Sequence, residues 1–323
     1  MRRPGRAKES RLTTAAHDEP DPHGETDPDG CDPRSAPAPH GKPETRHALT
    51  VLGAGVMGVG ITVLALGHGL PVHLVDLDRE RLDRAVDRIG GELRLAELMG
   101  ALPAGTAPGT LVTGTSVKAA ADATAVIEAV TENAATKAGV LSEISAHIRP
   151  GTPLVTNTSS IPVDELAGAL ERPEDLVGTH FMNPPYLIGT AEVIRGTRTG
   201  EHTMAAVAAL LGALRRNAVV VRDAPGFVTS RILHPMINDA ARVVEEGTAT
   251  AEAVDTLMQG CLGHPTGPLR TADLIGIDNL VDSLTVLHER TGDDGCRPSE
   301  LLLRLVREGR LGRKSGRGFY DYS

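Results

Sequence analysis

Gly53, Gly55 and Gly58 stand in the run VLGAGVMGVG (Val51–Gly60), a GxGxxG pattern that follows one apolar stretch and opens another. Each glycine has a physical reason to be there. Gly53 permits a tight turn, Gly55 lets the backbone approach a pyrophosphate, and Gly58 allows a helix to pack closely on the preceding strand. A helix starting at Val56 and Met57 presents unpaired N–H groups to phosphate oxygens. Asp76 ends the next apolar stretch, about 20 residues on, where a carboxylate accepts hydrogen bonds from adenine-ribose hydroxyls. A carboxylate there also repels a 2′-phosphate, which selects NAD over NADP; Arg79 close by works against that preference. The three cysteines, Cys31, Cys261 and Cys296, form no CxxC pair, and HExxH is absent. Neither a metal site nor a disulfide framework is therefore expected.

These groups need a scaffold that gathers strand ends, and the hydrophobic pattern supplies one. Apolar runs at HALTVL (His47–Leu52), VHLVD (Val72–Asp76), LVTG, AVIEAV, PLVTN and LVGTHFM alternate with helical patterns. Among the latter are an apolar helix ending at Gly69 and a charged amphipathic one from near Asp78. AEVIRG and NAVVVRD then flank one more helix. Such alternation implies an α/β fold with a Rossmann-type doubly wound, mostly parallel sheet. After Asp223 the strand signals stop. Apolar residues recur at helical spacing over Pro225–Glu246, 251–262, 273–290 and 298–308, the pattern of a smaller all-α domain. Residues 1–46 are rich in Pro, Gly and charge with almost nothing apolar to bury, and read as a disordered tail. The expected division is a tail (1–46), an NAD-binding Rossmann domain (47–224) and an all-α domain (225–323).

Composition narrows the function further. Of 323 residues 40% are apolar and 23% charged, as in a soluble globular protein. A net charge of −9 argues against a nucleic-acid partner, which would want clustered positive surface. No apolar run reaches the roughly 20 residues of a membrane helix. The expected compartment is the cytoplasm.

The remaining motifs carry a resemblance. ENxxxK (Glu132 to Lys137), NTSS (Asn157–Ser160), HFMNP (His180–Pro184) with Glu192 after it, PGFVTSRI, GPLRTADLIGID and LGRKSGRGFYDY follow GAGVMGVGI in order. From near Ala48 to its C-terminus the chain thus resembles the 3-hydroxyacyl-CoA dehydrogenase family. The resemblance implies oxidation of the C3 hydroxyl of a hydroxyacyl thioester with NAD. Removing a hydroxyl proton as hydride leaves suits a histidine, whose ordinary pKa lies near neutrality. The family pattern assigns that base to His180 and the orienting carboxylate to Glu192. It matches Ser159 to the serine that hydrogen-bonds the substrate oxygen, and Asn183 to the residue against nicotinamide and substrate. Glu132 and Lys137 match positions near the nicotinamide ribose. A homodimer formed through the helical domain is implied as well.

Two departures fall where the acyl chain should lie. The family motif PGFxxNR has an Asn at the substrate oxygen, whereas this chain has Ser230. Tyr186–Ala191 also leaves the common pattern. PTGPLRTADLIGIDNLVDSL and HFMNPPYL resemble a polyketide-pathway subgroup that oxidises a glyceryl or related hydroxyacyl unit on an acyl carrier protein, for which a shorter hydroxyl at position 230 is suited. Acyl-CoA and acyl-carrier-protein thioesters therefore both stand as substrates. A sugar-acid dehydrogenase of gulonate type and a non-catalytic NAD(H)-binding protein are the alternatives of other classes.

Overall fold

The computed structural model describes residues 48–322; the expected tail and His47 lie outside them. Eight strands form one sheet: β1 (Leu49–Leu52), β2 (Val72–Val75), β3 (Leu111–Gly114), β4 (Ala125–Glu128), β5 (Leu154–Thr156), β6 (Leu176–His180), β7 (Thr190–Arg195) and β8 (Asn217–Arg222). Their order is β3-β2-β1-β4-β5-β6-β7-β8. All neighbours are parallel except β6 and β7, which run antiparallel. The helices crossing between them are α1 (Val56–Gly67), α2 (Arg79–Leu98), α3 (Ala134–His147), α4 (Val163–Ala167) and α5 (Glu201–Ala213).

The inner strands β1, β4, β5 and β6 are buried along their length and covered on both faces. Adjacent residues point to opposite sides, so Val51, Ile127, Val155 and Val177 pack with α1, α2 and α5. Their neighbours Leu52, Val126, Leu154 and Leu176 pack with α3 and α4. The chain runs outward from β1 to β2 in one direction and to β4 in the other. That reversal opens a crevice at the carboxyl ends of the strands, where ligands bind in doubly wound sheets.

After β8 the described residues are helical: α6 (Thr229–Glu245), α7 (Ala251–Leu262), α8 (Pro268–Ile275), α9 (Ile277–Thr291) and α10 (Glu300–Arg307). They enclose a core of their own around Ile237, Ala241, Leu269, Leu280, Leu284 and Leu302. The single helical stretch expected over 273–290 is two helices. Gly276, at φ 96°, breaks it, because this backbone conformation cannot continue a helix. The C-terminal aromatic segment is pinned by Asp273, which accepts hydrogen bonds from the backbone of Phe319 and Tyr320 and from the Tyr322 hydroxyl.

Candidate active site

The glycine turn joins β1 to α1. Gly53 sits at φ 100°, and a Cβ there would lie 2.6 Å from the Ala129 carbonyl oxygen. At Gly58 a Cβ would overlap the Gly53 carbonyl, so both glycines are required by the protein's own packing. Gly55 differs: a Cβ there meets no protein atom within 4 Å. The demand for glycine at that position comes from whatever approaches from outside. Val56 and Met57 begin α1, whose N-terminus has no side-chain cap and so keeps its donors for a ligand. Asp76 accepts Ala54 N at 2.8 Å and Asp78 N at 3.0 Å, which locks it against the turn. The cation beside Asp76 is Arg81, at 3.6 Å, whereas Arg79 pairs with Asp83. A groove of about 290 Å³ next to the turn is lined by Gly55, Val56, Arg81, Arg84 and Arg88. Open backbone, free helix donors and guanidinium groups suit a diphosphate-bearing cofactor.

Three further loops reach the same edge of the sheet, because β4, β5 and β6 run parallel to β1. The loop after β4 holds Glu132, and Lys137 follows on α3. Lys137 is fully buried, its Nζ 2.7 Å from Glu128 Oε1 and 3.2 Å from Glu132 Oε2. Glu128 is also buried and receives Thr156 Oγ1 at 2.7 Å and Val130 N at 2.8 Å. Glu132 Oε1 in turn gathers the NTSS turn, accepting Thr158 Oγ1 at 2.6 Å, Ser159 N at 2.8 Å and Ser160 N at 3.2 Å. Burial opposes ionisation of Glu132, but Lys137 and the donors from Thr158 and Ser159 outweigh it and hold its pKa below the ordinary glutamate value. Lys137 therefore touches other residues and no open surface. Its influence on a ligand passes through Glu132 and the half-buried Ser159.

The HFMNP segment leaves β6. Asn157 fixes it, accepting the Phe181 N–H at 3.0 Å. His180 and Glu192 face each other in the antiparallel β6–β7 register, which is why residues twelve apart in sequence meet. His180 Nδ1 lies 3.3 Å from Glu192 Oε2. The other carboxylate oxygen accepts Val228 N at 2.7 Å and Thr229 N at 3.3 Å, so Glu192 caps the N-terminus of α6. Thr229 Oγ1 donates to Glu192 Oε2 at 2.7 Å and lies 3.3 Å from His180 Nδ1. Burial raises the Glu192 pKa, but the bonds from His180, Thr229 and Val228 prevail and lower it overall. An ionised Glu192 accepts the Nδ1 proton of His180 and leaves Nε2 with a free lone pair. Phe227 packs edge-on against the His180 ring, 6.1 Å between centroids. Asn183 is exposed in the β6–β7 loop and precedes a cis proline. Ser230 is buried on the first turn of α6.

Comparison with known proteins fits this geometry. A model of the 3-hydroxyacyl-CoA dehydrogenase NAD-binding domain matches residues 48–224, and a model of that enzyme's C-terminal domain matches 226–322. The chain belongs to the 3-hydroxyacyl-CoA dehydrogenase family. Family members similar to it include a probable 3-hydroxybutyryl-CoA dehydrogenase of Bacillus subtilis, 40% identical over 85% of this chain and 96% of that protein. Another, from Deinococcus radiodurans, is 41% identical over 84% of this chain and 99% of its own. Among solved structures, FadB2 of M. tuberculosis superposes with a TM-score of 0.80 at 34% identity, covering 85% of this chain and 98% of that one. The (S)-3-hydroxybutyryl-CoA dehydrogenase PaaH1 of Ralstonia eutropha gives 0.76 at 35% identity, covering 86% and 100%. As a member of the 3-hydroxyacyl-CoA dehydrogenase family the chain is an NAD-dependent oxidoreductase.

Thr229, Glu128, Thr156 and Asn157 are site residues that the sequence reading did not single out. Glu128 left a signal: an acid inside the apolar run AVIEAV must be paired if buried, and Lys137 follows nine residues later. Thr229 left none, since its role arises only when α6 meets β7.

Proposed function

We propose that this enzyme oxidises the C3 hydroxyl of a 3-hydroxyacyl thioester, with an acyl-CoA as substrate, and reduces the corresponding ketone in reverse. The observation that carries this is the His180–Glu192 pair, placed at the same sheet edge as the glycine turn. Bound NAD+ supplies the hydride acceptor. His180 Nε2 takes the hydroxyl proton, and Glu192 stabilises the resulting imidazolium while fixing the ring, a base-plus-orienter arrangement. Ser159 and Asn183 orient the substrate oxygen, with Ser230 behind it. Gly53, Gly55, Val56, Met57, Gly58 and Asp76 hold the cofactor. Glu132 positions Ser159, and Lys137 acts through Glu132.

The division into a Rossmann domain to Ala224 and an α domain from Pro225 is supported by the change from strands to helices and by the two matched spans. A cytoplasmic homodimer is part of the same reading. Ile232, Leu257 and Leu262 are exposed apolar residues of the helical domain, of the kind a subunit interface covers. Light scattering reads the oligomeric state, and a monomer refutes that part.

The deciding experiment follows NADH formation with 3-hydroxybutyryl-CoA and with 3-hydroxybutyryl- and glyceryl-carrier-protein substrates. Turnover of the CoA thioester is expected; exclusive use of the carrier proteins moves the enzyme to polyketide extender-unit supply. Activity on free sugar acids alone, or NADH binding without any turnover, refutes the thioester reading. His180→Ala is expected to lower kcat by roughly 10²–10⁴-fold while NADH still binds.

A further inference from the structure

Two of the described residues other than glycine have a left-handed backbone, Arg215 at φ 52° and Phe227 at φ 51°. Arg215 follows α5, where bonds from Arg215 N to Gly212 O and from Arg216 N to Leu211 O close the helix in a common left-handed ending. Phe227 stands ahead of a helix, where no such ending applies. The turn before it is already complete: Pro225 and Gly226 form its centre, with Gly226 at φ 69°, and Phe227 N donates to Ala224 O at 2.9 Å. A bulky side chain takes the left-handed region only where its surroundings impose it, and such residues gather at functional sites.

The surroundings of Phe227 come from both domains. Its side chain is 3% exposed and belongs to the apolar cluster on the α3–α4 side of the sheet, with Ile161, Val163 and Ile194. Among the described residues, no other from the helical domain is in that cluster. Gly226, just before it, packs against α9, where a Cβ would lie 2.6 Å from Leu287 Cδ2. Val228 and Thr229, just after it, turn their N–H groups onto Glu192. The Phe227 ring itself meets His180, with the ring planes 60° apart. An ordinary φ at this position would turn either the ring or the two donors away. The bonds at Nδ1 fix one point of the His180 ring, and a packed aromatic neighbour fixes its tilt, hence the direction of Nε2.

We propose that Phe227 is a positioning residue for the proton transfer: its ring sets the plane of His180, and through it the seating of the helical domain reaches the base. This rests on the reading of His180 as the base. A reacting group misplaced by about 1 Å can lose on the order of 10²-fold in rate. The glycine turn is held by its own packing between β1 and α1, so NADH affinity is expected to be spared.

The test measures kcat, KM and melting temperature in the full chain, with oxidation of 3-hydroxybutyryl-CoA as the reaction. Phe227→Leu and Phe227→Met fill much of the same space without a flat ring, and both are unbranched at Cβ, which suits the left-handed backbone. Each is expected to lower kcat at least about tenfold while KM and NADH affinity stay within about threefold. Leu166→Ala, in the same apolar cluster, is the control for packing alone. It should lower the melting temperature more than either Phe227 variant, yet leave kcat within about twofold where the protein is folded. NADH binding reports that each variant is folded. Unchanged kcat in both Phe227 variants overturns the proposal. So does an equal loss of kcat in Leu166→Ala, because the rate would then follow stability. Full activity in His180→Ala, or NADH binding with no thioester oxidised by the unaltered enzyme, refutes instead the reading on which the role rests.

Discussion

At the scale of single residues, the chemistry turns on how the His180 ring is held. Its Nδ1 faces a carboxylate that is itself occupied by two backbone N–H groups and the Thr229 hydroxyl. Glu192 can thus neither rotate away nor take up its own proton easily. Thr229 donates its hydroxyl to Glu192 and acts through it. Thr229→Val removes a charge-assisted bond worth about 1.5–3 kcal/mol, and kcat should fall at least tenfold with NADH affinity unchanged. Thr229→Ser should restore most of the rate. A Val variant with normal kcat would show that the backbone donors of α6 suffice to hold Glu192. His180 and Glu192 were legible because they sit in a dense motif, whereas Thr229 was not. Its function needs a helix end from one domain set against a strand of the other, and no local pattern encodes that meeting.

At the scale of elements, the glycine turn and the buried ion pair allow opposite predictions to be separated. Gly55→Ala meets no protein atom, so its stability should stay within about 0.5 kcal/mol of the original. Its NADH affinity should drop, because the new methyl projects where a pyrophosphate must approach. Gly58→Ala should do the reverse first: it overlaps the Gly53 carbonyl and lowers the melting temperature. Equal melting temperatures for the two variants would refute this division. Lys137→Met leaves Glu128 buried without its cation, at a cost of about 3–5 kcal/mol. Adding Glu128→Gln should recover part of that loss in urea unfolding; no recovery would mean that Lys137 stabilises by packing alone. The strands were readable to within a residue or two, since all but the edge strands are buried on both faces and bounded by turns. The α8–α9 break was not, because Gly276 lies inside an unbroken apolar period. The GFYDY ending was visible as a motif, but its reason emerged only with Asp273. That carboxylate takes the Phe319 and Tyr320 backbone, and it leaves no room for a Cβ at Gly318.

At the scale of the whole molecule, the two domains meet through polar contacts that depend on pH. Glu192 joins β7 to the start of α6, and Arg290 on α9 pairs with Glu165 on α4 at 2.6 Å. The most sensitive group lies deeper. His234 has a folded-state pKa of about 4 against an ordinary value of 6.5. As pH falls from 6.5 the unfolded chain takes up the proton first, so stability is complete above that value and is lost through the window down to 4. Below 4 both states are protonated and this loss stops growing. The charge of nearby His180 adds to the lowering that burial causes. Between pH 7 and pH 5 the linkage amounts to on the order of 2 kcal/mol. Urea unfolding at the two pH values should therefore show His234→Val losing about 2 kcal/mol less than the unaltered protein on acidification. Equal losses would mean that His234 already reaches solvent well enough to protonate in the folded state.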